Sequence, residues 1–250
     1  MASMLTVLAT GRLPDWLTQG LERHDIDWEA LQWPKVHYTA SPLEVQHRLT
    51  ELASRYDTLY WVFTSPQASR FAAELLFRHE IPRPAGVYSV GRGSGTPLLD
   101  LGYAVVWPEQ EANSTALAEL ITRHALVQRE GEHCYVHWCA PSRRPELHTR
   151  MTELSHHLSG FRFEELYVYQ TEYPTTFAPP AVLSTDVLIQ SPGALKVLVP
   201  WMMAHPHIRI WCLGPATATE IDRALPDRSY HQCLNLDDWF QRLSRLTGAC

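Results

Sequence analysis

Two serines, Ser65 and Ser191, each close an apolar run and each precede a proline. Leu59-Tyr60-Trp61-Val62-Phe63 leads into Thr64-Ser65-Pro66, and Val187-Leu188-Ile189 leads into Gln190-Ser191-Pro192. A helical stretch follows each (Gln67 to His79, and on through Met203), then a second apolar run that ends in Gly91 or Gly214. Serine is a favoured N-cap and proline is at home at the first helical position, so both sites are strand-to-helix junctions. The backbone N–H groups that open such a helix have no partner within it. They favour an anion, each helix dipole contributing ~0.3–1 kcal/mol. In parallel α/β sheets these junctions fall at the carboxyl ends of strands, where ligands bind. The chemistry on offer is recognition of carboxylates or phosphates by backbone donors, and it is offered twice. A Ser-Pro pair can also be no more than a helix start; the repetition, with its matched glycines, favours two similar modules.

Other constellations give less. Gly91-Arg92-Gly93-Ser94-Gly95-Thr96 follows a strand but lacks the third glycine of a dinucleotide fingerprint, and no Gly-Lys-Ser or Gly-Lys-Thr phosphate loop occurs. His133, Cys134, His137 and Cys139 have the residue types of a metal site. They lie on one expected strand, where side chains alternate, so Cys134 and Cys139 point to opposite faces. They read as buried strand residues, and no metal site is expected. His156 and His157 are helix neighbours that do not share a face, and His205 and His207 flank Pro206 in an expected solvated loop. A Gly-x-Ser-x-Gly hydrolase elbow is missing as well.

The elements that must position these residues alternate between strand and helix. A strand at Leu5 to Thr10 is followed by a turn and a helix to about His24, with Leu17 and Leu21 one turn apart. Ser41, Pro42 and Glu44 form a capping box for a helix with Val45, Leu49 and Leu52 on one stripe. Further strands are expected at Val87 to Val90, Tyr103 to Trp107, Cys134 to Cys139 and Ile208 to Leu213. Helices are expected at Thr115 to Leu126, Arg144 to Leu158, Thr217 to Leu225 and Asp237 to Leu246. Val36 to Tyr38 and Leu166 to Tyr169 are short extended pieces, and Thr171 to Pro180 reads as a polar connection. The alternation implies α/β architecture with parallel sheets.

Composition narrows the class. A chain of 250 residues, 45% hydrophobic and 19% charged, can build one large core or two ordinary ones. A net charge of −6 argues against a nucleic-acid-binding face. Five cysteines without a disulfide spacing suit a reducing cytoplasm. Met1-Ala2-Ser3-Met4-Leu5 lacks a signal-peptide layout, and no run is long enough to span a membrane.

Taken in order along the chain, these motifs resemble the uroporphyrinogen-III synthase family. Phe63-Thr64-Ser65-Pro66-Gln67-Ala68 is similar to its first signature, and Val90-Gly91, Gly102, Pro108, Ser114 and Leu117 match the spacing that follows. Val168-Tyr169-Gln170-Thr171 resembles the segment that returns to the first domain. Ser191-Pro192-Gly193-Ala194 and Leu213-Gly214-Pro215-Ala216-Thr217-Ala218 match the second unit. The chain departs from the pattern where Thr10-Gly11-Arg12 replaces Thr-Arg-Pro, where Gly93-Ser94 replaces Ala-Thr, and around Ala140, where the usual Arg-Gly is missing though Arg144 can supply the later arginine.

The resemblance implies two similar flavodoxin-like or Rossmann-like domains joined by a two-stranded hinge ladder. One domain is discontinuous, 1–37 with 171–250, and the other is 40–166. The ladder is expected near 36–39 and 167–170. It implies a cyclising lyase that turns hydroxymethylbilane, a linear tetrapyrrole rich in carboxylates, into uroporphyrinogen III with no cofactor. The substrate would sit in the interdomain cleft, lined by Ser65, Ser191 and Thr217 among others. Substrate-binding residues would be Thr64, Ser65, Gly91, Ser94, Ser191, Gly193, Gly214, Ala216 and Thr217. Tyr169 would assist departure of the hydroxyl, with Tyr167 two residues earlier on the same strand face. The expected protein is a cytoplasmic monomer without nucleic-acid or membrane partners, supplied by hydroxymethylbilane synthase. A weakly catalytic or regulatory tetrapyrrole binder on this fold, and a two-domain periplasmic-type small-ligand binder, are the alternatives.

Overall fold

The computed structural model describes residues 5–31, 33–109, 112–128, 130–178 and 184–247. The opening stretch Met1 to Met4 and the Pro179-Pro180 end of the expected connection lie outside them. The chain forms two compact units, one of Met1–Lys35 with Glu172–Cys250 and one of Val36–Thr171.

In the first unit the strands are β1 (Thr6–Ala9), β2 (Asp27–Ala30), β10 (Asp186–Ile189), β11 (Arg209–Leu213) and β12 (Tyr230–Cys233). Its helices are α1 (Asp15–Arg23), α7 (Pro192–Ala204), α8 (Gly214–Ala224) and α9 (Leu236–Ser244). The sheet runs β12-β11-β10-β1-β2, every pair parallel. Leu195, Leu198 and Met202 of α7 and Ile221 of α8 bury one face with Leu8 and Val187. Leu17 and Leu21 of α1 and Trp239 and Leu243 of α9 bury the other with Val7 and Leu188.

In the second unit the strands are β4 (Thr58–Phe63), β5 (Gly86–Ser89), β6 (Val105–Val106), β7 (His133–Cys139) and β8 (Phe161–Tyr167). Its helices are α2 (Pro42–Arg55), α3 (Pro66–Arg78), α4 (Arg92–Leu99), α5 (Ser114–Val127) and α6 (Pro145–His157). The order is β6-β5-β4-β7-β8, again all parallel. Helices α2 to α4 pack on one face with Trp61, Phe63, Val136 and Trp138; α5 and α6 pack on the other with Tyr60, Val62 and Tyr135. With both faces covered, strands such as β7 are buried end to end and show no polar alternation.

Each sheet reverses its winding once. The reversal falls between β1 and β10 in the first unit and between β4 and β7 in the second. At such a switch point the loops diverge to opposite faces and leave a crevice at the carboxyl ends. Both Ser-Pro junctions sit beside one.

The capping box of α2 is present, with Glu44 N–H donating to Ser41 Oγ at 3.2 Å and Ser41 N–H donating to Glu44 at 2.9 Å. Other expectations need correction. Strands β2 and β12 were not expected, and β8 starts well before the extended piece at Leu166; all three are edge strands with polar residues facing out, which weakens the apolar signal. The strand expected at Tyr103 to Trp107 is only β6. Arg92 to Thr96, for which no element was expected, open helix α4. His205 is not simply solvated, since its Nδ1 lies 2.8 Å from the Trp201 carbonyl oxygen.

The two-stranded ladder pairs β3 (Lys35–Tyr38) with β9 (Tyr169–Glu172), at the two points where the chain crosses between units. Tyr167 is not part of it. It ends β8, whose partner is β7, and Val168 separates the two strands. Tyr167 and Tyr169 therefore do not share a strand face: Tyr167 is exposed and Tyr169 is 7% exposed.

Candidate active site

At the switch point of the second unit, β4 delivers Thr64 and Ser65 and β7 delivers His137. Ser65 caps α3, its Oγ accepting from Gln67 N–H at 3.1 Å. Thr64 Oγ1 lies 3.0 Å from His137 Nε2. His137 is opposite Glu165 in the β7–β8 register, and its Nδ1 is 3.6 Å from the Glu165 carboxylate. Arg143 grips that carboxylate through Nε and, at 2.6 Å, through Nη2; Tyr167 donates to it at 2.9 Å and His148 Nδ1 lies 3.2 Å away. Burial alone would raise the Glu165 pKa, but the nearby His137 ring and the hydrogen bonds from Arg143 and Tyr167 outweigh it and hold the group far below the usual carboxylate range. Burial lowers the His137 pKa against the opposing charge of Glu165, which favours the neutral imidazole.

At the switch point of the first unit, Thr10 Oγ1 accepts from Gln190 N–H at 2.9 Å and ties β1 to β10. A side chain at Gly11 would run into the Gln190 amide as it stands here. Ser191 stands at the N-cap of α7 without a capping bond. Its Oγ instead lies 3.0 Å from Tyr173 Oη. The Tyr173 ring occupies the space a side chain at Gly193 would need. Gly214 opens α8 with φ +74°, a conformation that favours glycine.

The family model for uroporphyrinogen-III synthase HemD matches residues 17–226. The chain belongs to the uroporphyrinogen-III synthase family. It is a cyclising lyase of tetrapyrrole and heme biosynthesis. Solved structures share the fold at low identity. A mutant uroporphyrinogen III synthase from the extremely thermophilic bacterium Thermus thermophilus is 13% identical, with TM-score 0.61 over 96% of this chain and 98% of that one. The uroporphyrinogen-III synthetase of Helicobacter pylori is 14% identical, with TM-score 0.62 over 97% and 100%. No curated protein matches by sequence.

Among the residues expected to bind a uroporphyrinogen-III synthase substrate, Thr64, Ser65 and Gly91 follow strand ends in the second unit and Ser191 does so in the first, while Gly193, Gly214 and Ala216 lie in the first turns of α7 and α8. Ser94 and Thr217 are different. Ser94 lies inside α4 and Thr217 is the fourth residue of α8, and both are buried, 7% and 2% exposed. Helix α8 begins at Gly214, earlier than the sequence suggested, and no helix was expected over Arg92–Leu99; in both, the side chain turns into the packing.

Sequence reasoning missed Glu165 and Arg143. The available signal was the acidic pair Glu164-Glu165 near the end of a strand, since alternation must turn one of the two inward. Cys134 and Cys139 point to opposite faces, as the alternation predicts. Cys134 packs with Trp61 and Trp138, whereas Cys139 shares a face with His137, and His137, Cys139 and Glu165 bring one ligand atom each within 4.8 Å. This group is better explained as an ion-pair network than as a metal site. The Arg143 guanidinium sits where a cation would neutralise Glu165, Thr64 occupies His137 Nε2, and burial pushes the Cys139 thiol up to about 12.

The two serines provide a test. Ser65→Ala removes a capping bond and is expected to cost ~0.5–2 kcal/mol of stability. Ser191→Ala removes none, so its melting temperature should stay near wild type while KM for the tetrapyrrole rises several-fold. Calorimetry and steady-state kinetics on both variants check this; a Ser191→Ala protein with unchanged KM would reduce Ser191 to packing with Tyr173.

Proposed function

We propose that this chain carries out the family's reaction, cyclisation of hydroxymethylbilane to uroporphyrinogen III with inversion of the last pyrrole ring and loss of water. The match of the family model over 17–226 carries the reading. Backbone donors at the starts of α3, α4, α7 and α8, with Ser65, Gly91, Ser191, Gly193, Gly214 and Ala216, hold substrate carboxylates, and Thr64 contacts the same substrate. Each contributes modestly, so several must act together. Ser94 and Thr217 support the same turns from within. Tyr169 assists departure of the hydroxyl as water, which leaves an azafulvene cation. The last ring attacks this cation at its substituted carbon, and the resulting spiro intermediate fragments and re-closes. Holding the chain in a near-cyclic shape is the larger task, since proximity can be worth ~7–11 kcal/mol. No redox step is involved.

The same reading makes the protein a cytoplasmic monomer that receives its substrate from hydroxymethylbilane synthase and has no nucleic-acid partner. Among the described residues no helix is long and apolar enough to cross a membrane. The decisive experiment is product analysis after incubation with enzymatically generated hydroxymethylbilane. The type III isomer is expected; only the spontaneous type I isomer would overturn the proposal.

A further inference from the structure

The side chains at the β4–β7 switch point form a line. Thr64, His137 and Glu165 come from three adjacent strands, with Thr64 Oγ1 to His137 Nε2 at 3.0 Å and His137 Nδ1 to Glu165 Oε1 at 3.6 Å. His137 is 1% exposed and the Glu165 side chain 8%. Thr64, at the open end, is half-buried. The arrangement has a direction. A neutral imidazole carries one N–H, and which nitrogen bears it is set by its neighbours. Glu165 is an anion and accepts only, so the proton belongs on Nδ1, facing the carboxylate. Nε2 is then an acceptor, and the Thr64 hydroxyl must donate to it. With its only proton committed inward, Thr64 presents lone pairs outward. It can accept a hydrogen bond and is poorly suited to a carboxylate.

We propose that His137, backed by Glu165, is a positioning residue that fixes Thr64 as a hydrogen-bond acceptor for a pyrrole N–H of the bound tetrapyrrole. This rests on the functional reading above and gives Thr64 a different task from the carboxylate-holding donors. When the hydroxymethyl C–O bond breaks, the hydroxyl takes up a proton and leaves as water. The ring it leaves becomes an azafulvenium cation whose charge is shared with its N–H. That N–H is a much stronger donor than the pyrrole N–H of the ground state. An acceptor placed there binds the transition state better than the substrate, which is the condition for raising kcat. The groups facing His137 fit this role. His148, Tyr167 and Arg143 Nη2 engage the far oxygen of Glu165, Arg143 Nε shares with His137 the near one, and the Cys139 thiol, beside His137 on the same strand face, stays protonated. Thr64 is the member of the line left to face a ligand.

The test uses the full-length protein with enzymatically generated hydroxymethylbilane. Formation of the type III isomer by wild type is the control that separates failure of the functional reading from failure of this one. Thr64→Val is expected to lower kcat ~10- to 100-fold, the scale of one hydrogen bond to a charged group, with KM within ~3-fold. Thr64→Ser should retain activity. His137→Gln, whose side-chain carbonyl can accept from Thr64 in place of Nε2, should retain most of it, and this conservative rescue would not be seen if His137 only filled space. In the Thr64→Val/His137→Phe double variant the losses should not add, because both act through one acceptor. If His137→Phe does not fold, Thr64→Val and His137→Gln decide the matter. A Thr64→Val enzyme with wild-type kcat, or with the whole loss in KM, overturns the proposal; the second result would make Thr64 a carboxylate donor after all.

Discussion

Tyr169→Phe is expected to lose between several-fold and ~100-fold in turnover, up to the lower end of what general acid catalysis supplies, ~10²–10⁴. Its melting temperature should hardly change, since the ring that packs in the second unit's core is kept. The chemistry is the argument for so large an effect. A phenol has a reference pKa near ~10 and is protonated at neutral pH, so it can donate a hydrogen bond to a departing hydroxyl. The cation formed is a stabilised one, so a hydrogen bond is enough. Burial at 7% exposure also supports a purely structural tyrosine, and the phenylalanine variant separates the two readings because it removes only the oxygen. Tyr167→Phe is the control. Its hydroxyl donates to Glu165 from an exposed position on another strand, so a small effect is expected. Kinetics and calorimetry on both variants check this; near-native turnover in both would take Tyr169 out of the mechanism and leave conformational control as the main account.

The largest expected stability loss comes from Asp186→Ala. This carboxylate is 0% exposed at the start of β10 and accepts from Arg209 Nε at 2.7 Å, Arg209 Nη2 at 3.0 Å, Trp211 Nε1 at 2.6 Å and Thr185 Oγ1 at 2.8 Å. Removing it strands the indole N–H and the guanidinium at once. Breaking a buried pair from one side costs ~3–5 kcal/mol. The Arg209 side chain is 36% exposed and can be partly rehydrated, which brings the expectation to ~2–4 kcal/mol. For a chain of this length that is a fall of ~5–15 °C in the transition of the first unit. Asp186→Ala/Arg209→Met should recover part of the loss, because no charge is then left unpaired. Calorimetry measures both, and a single variant within ~0.5 kcal/mol of wild type would mean that Asp186 is not holding the β10–β11 edge.

How much of this was legible in the sequence follows from which interactions are local. The doubled Ser-Pro junctions, the capping box at Ser41 and the helical stripes were readable because caps, proline placement and apolar periodicity act within a few residues. Alternation of strand and helix then gave parallel α/β sheets, and motif order along the chain gave the family. The edge strands β2, β8 and β12 were hidden because an edge exposes polar side chains, and the strand signal in sequence is apolar. Helix α4 was missed and the start of α8 misplaced because neither Gly91 nor Leu213 supplies a side-chain cap. Tertiary structure alone decided the rest. Glu165, Arg143 and His137 are separated by up to 28 positions and become neighbours only because β7 and β8 pair in parallel register. Ser65 and Ser191 are the same residue in the same motif, yet one caps its helix and the other turns to Tyr173. Local sequence set where each hydroxyl starts; its partner was chosen by what the remote chain packed beside it.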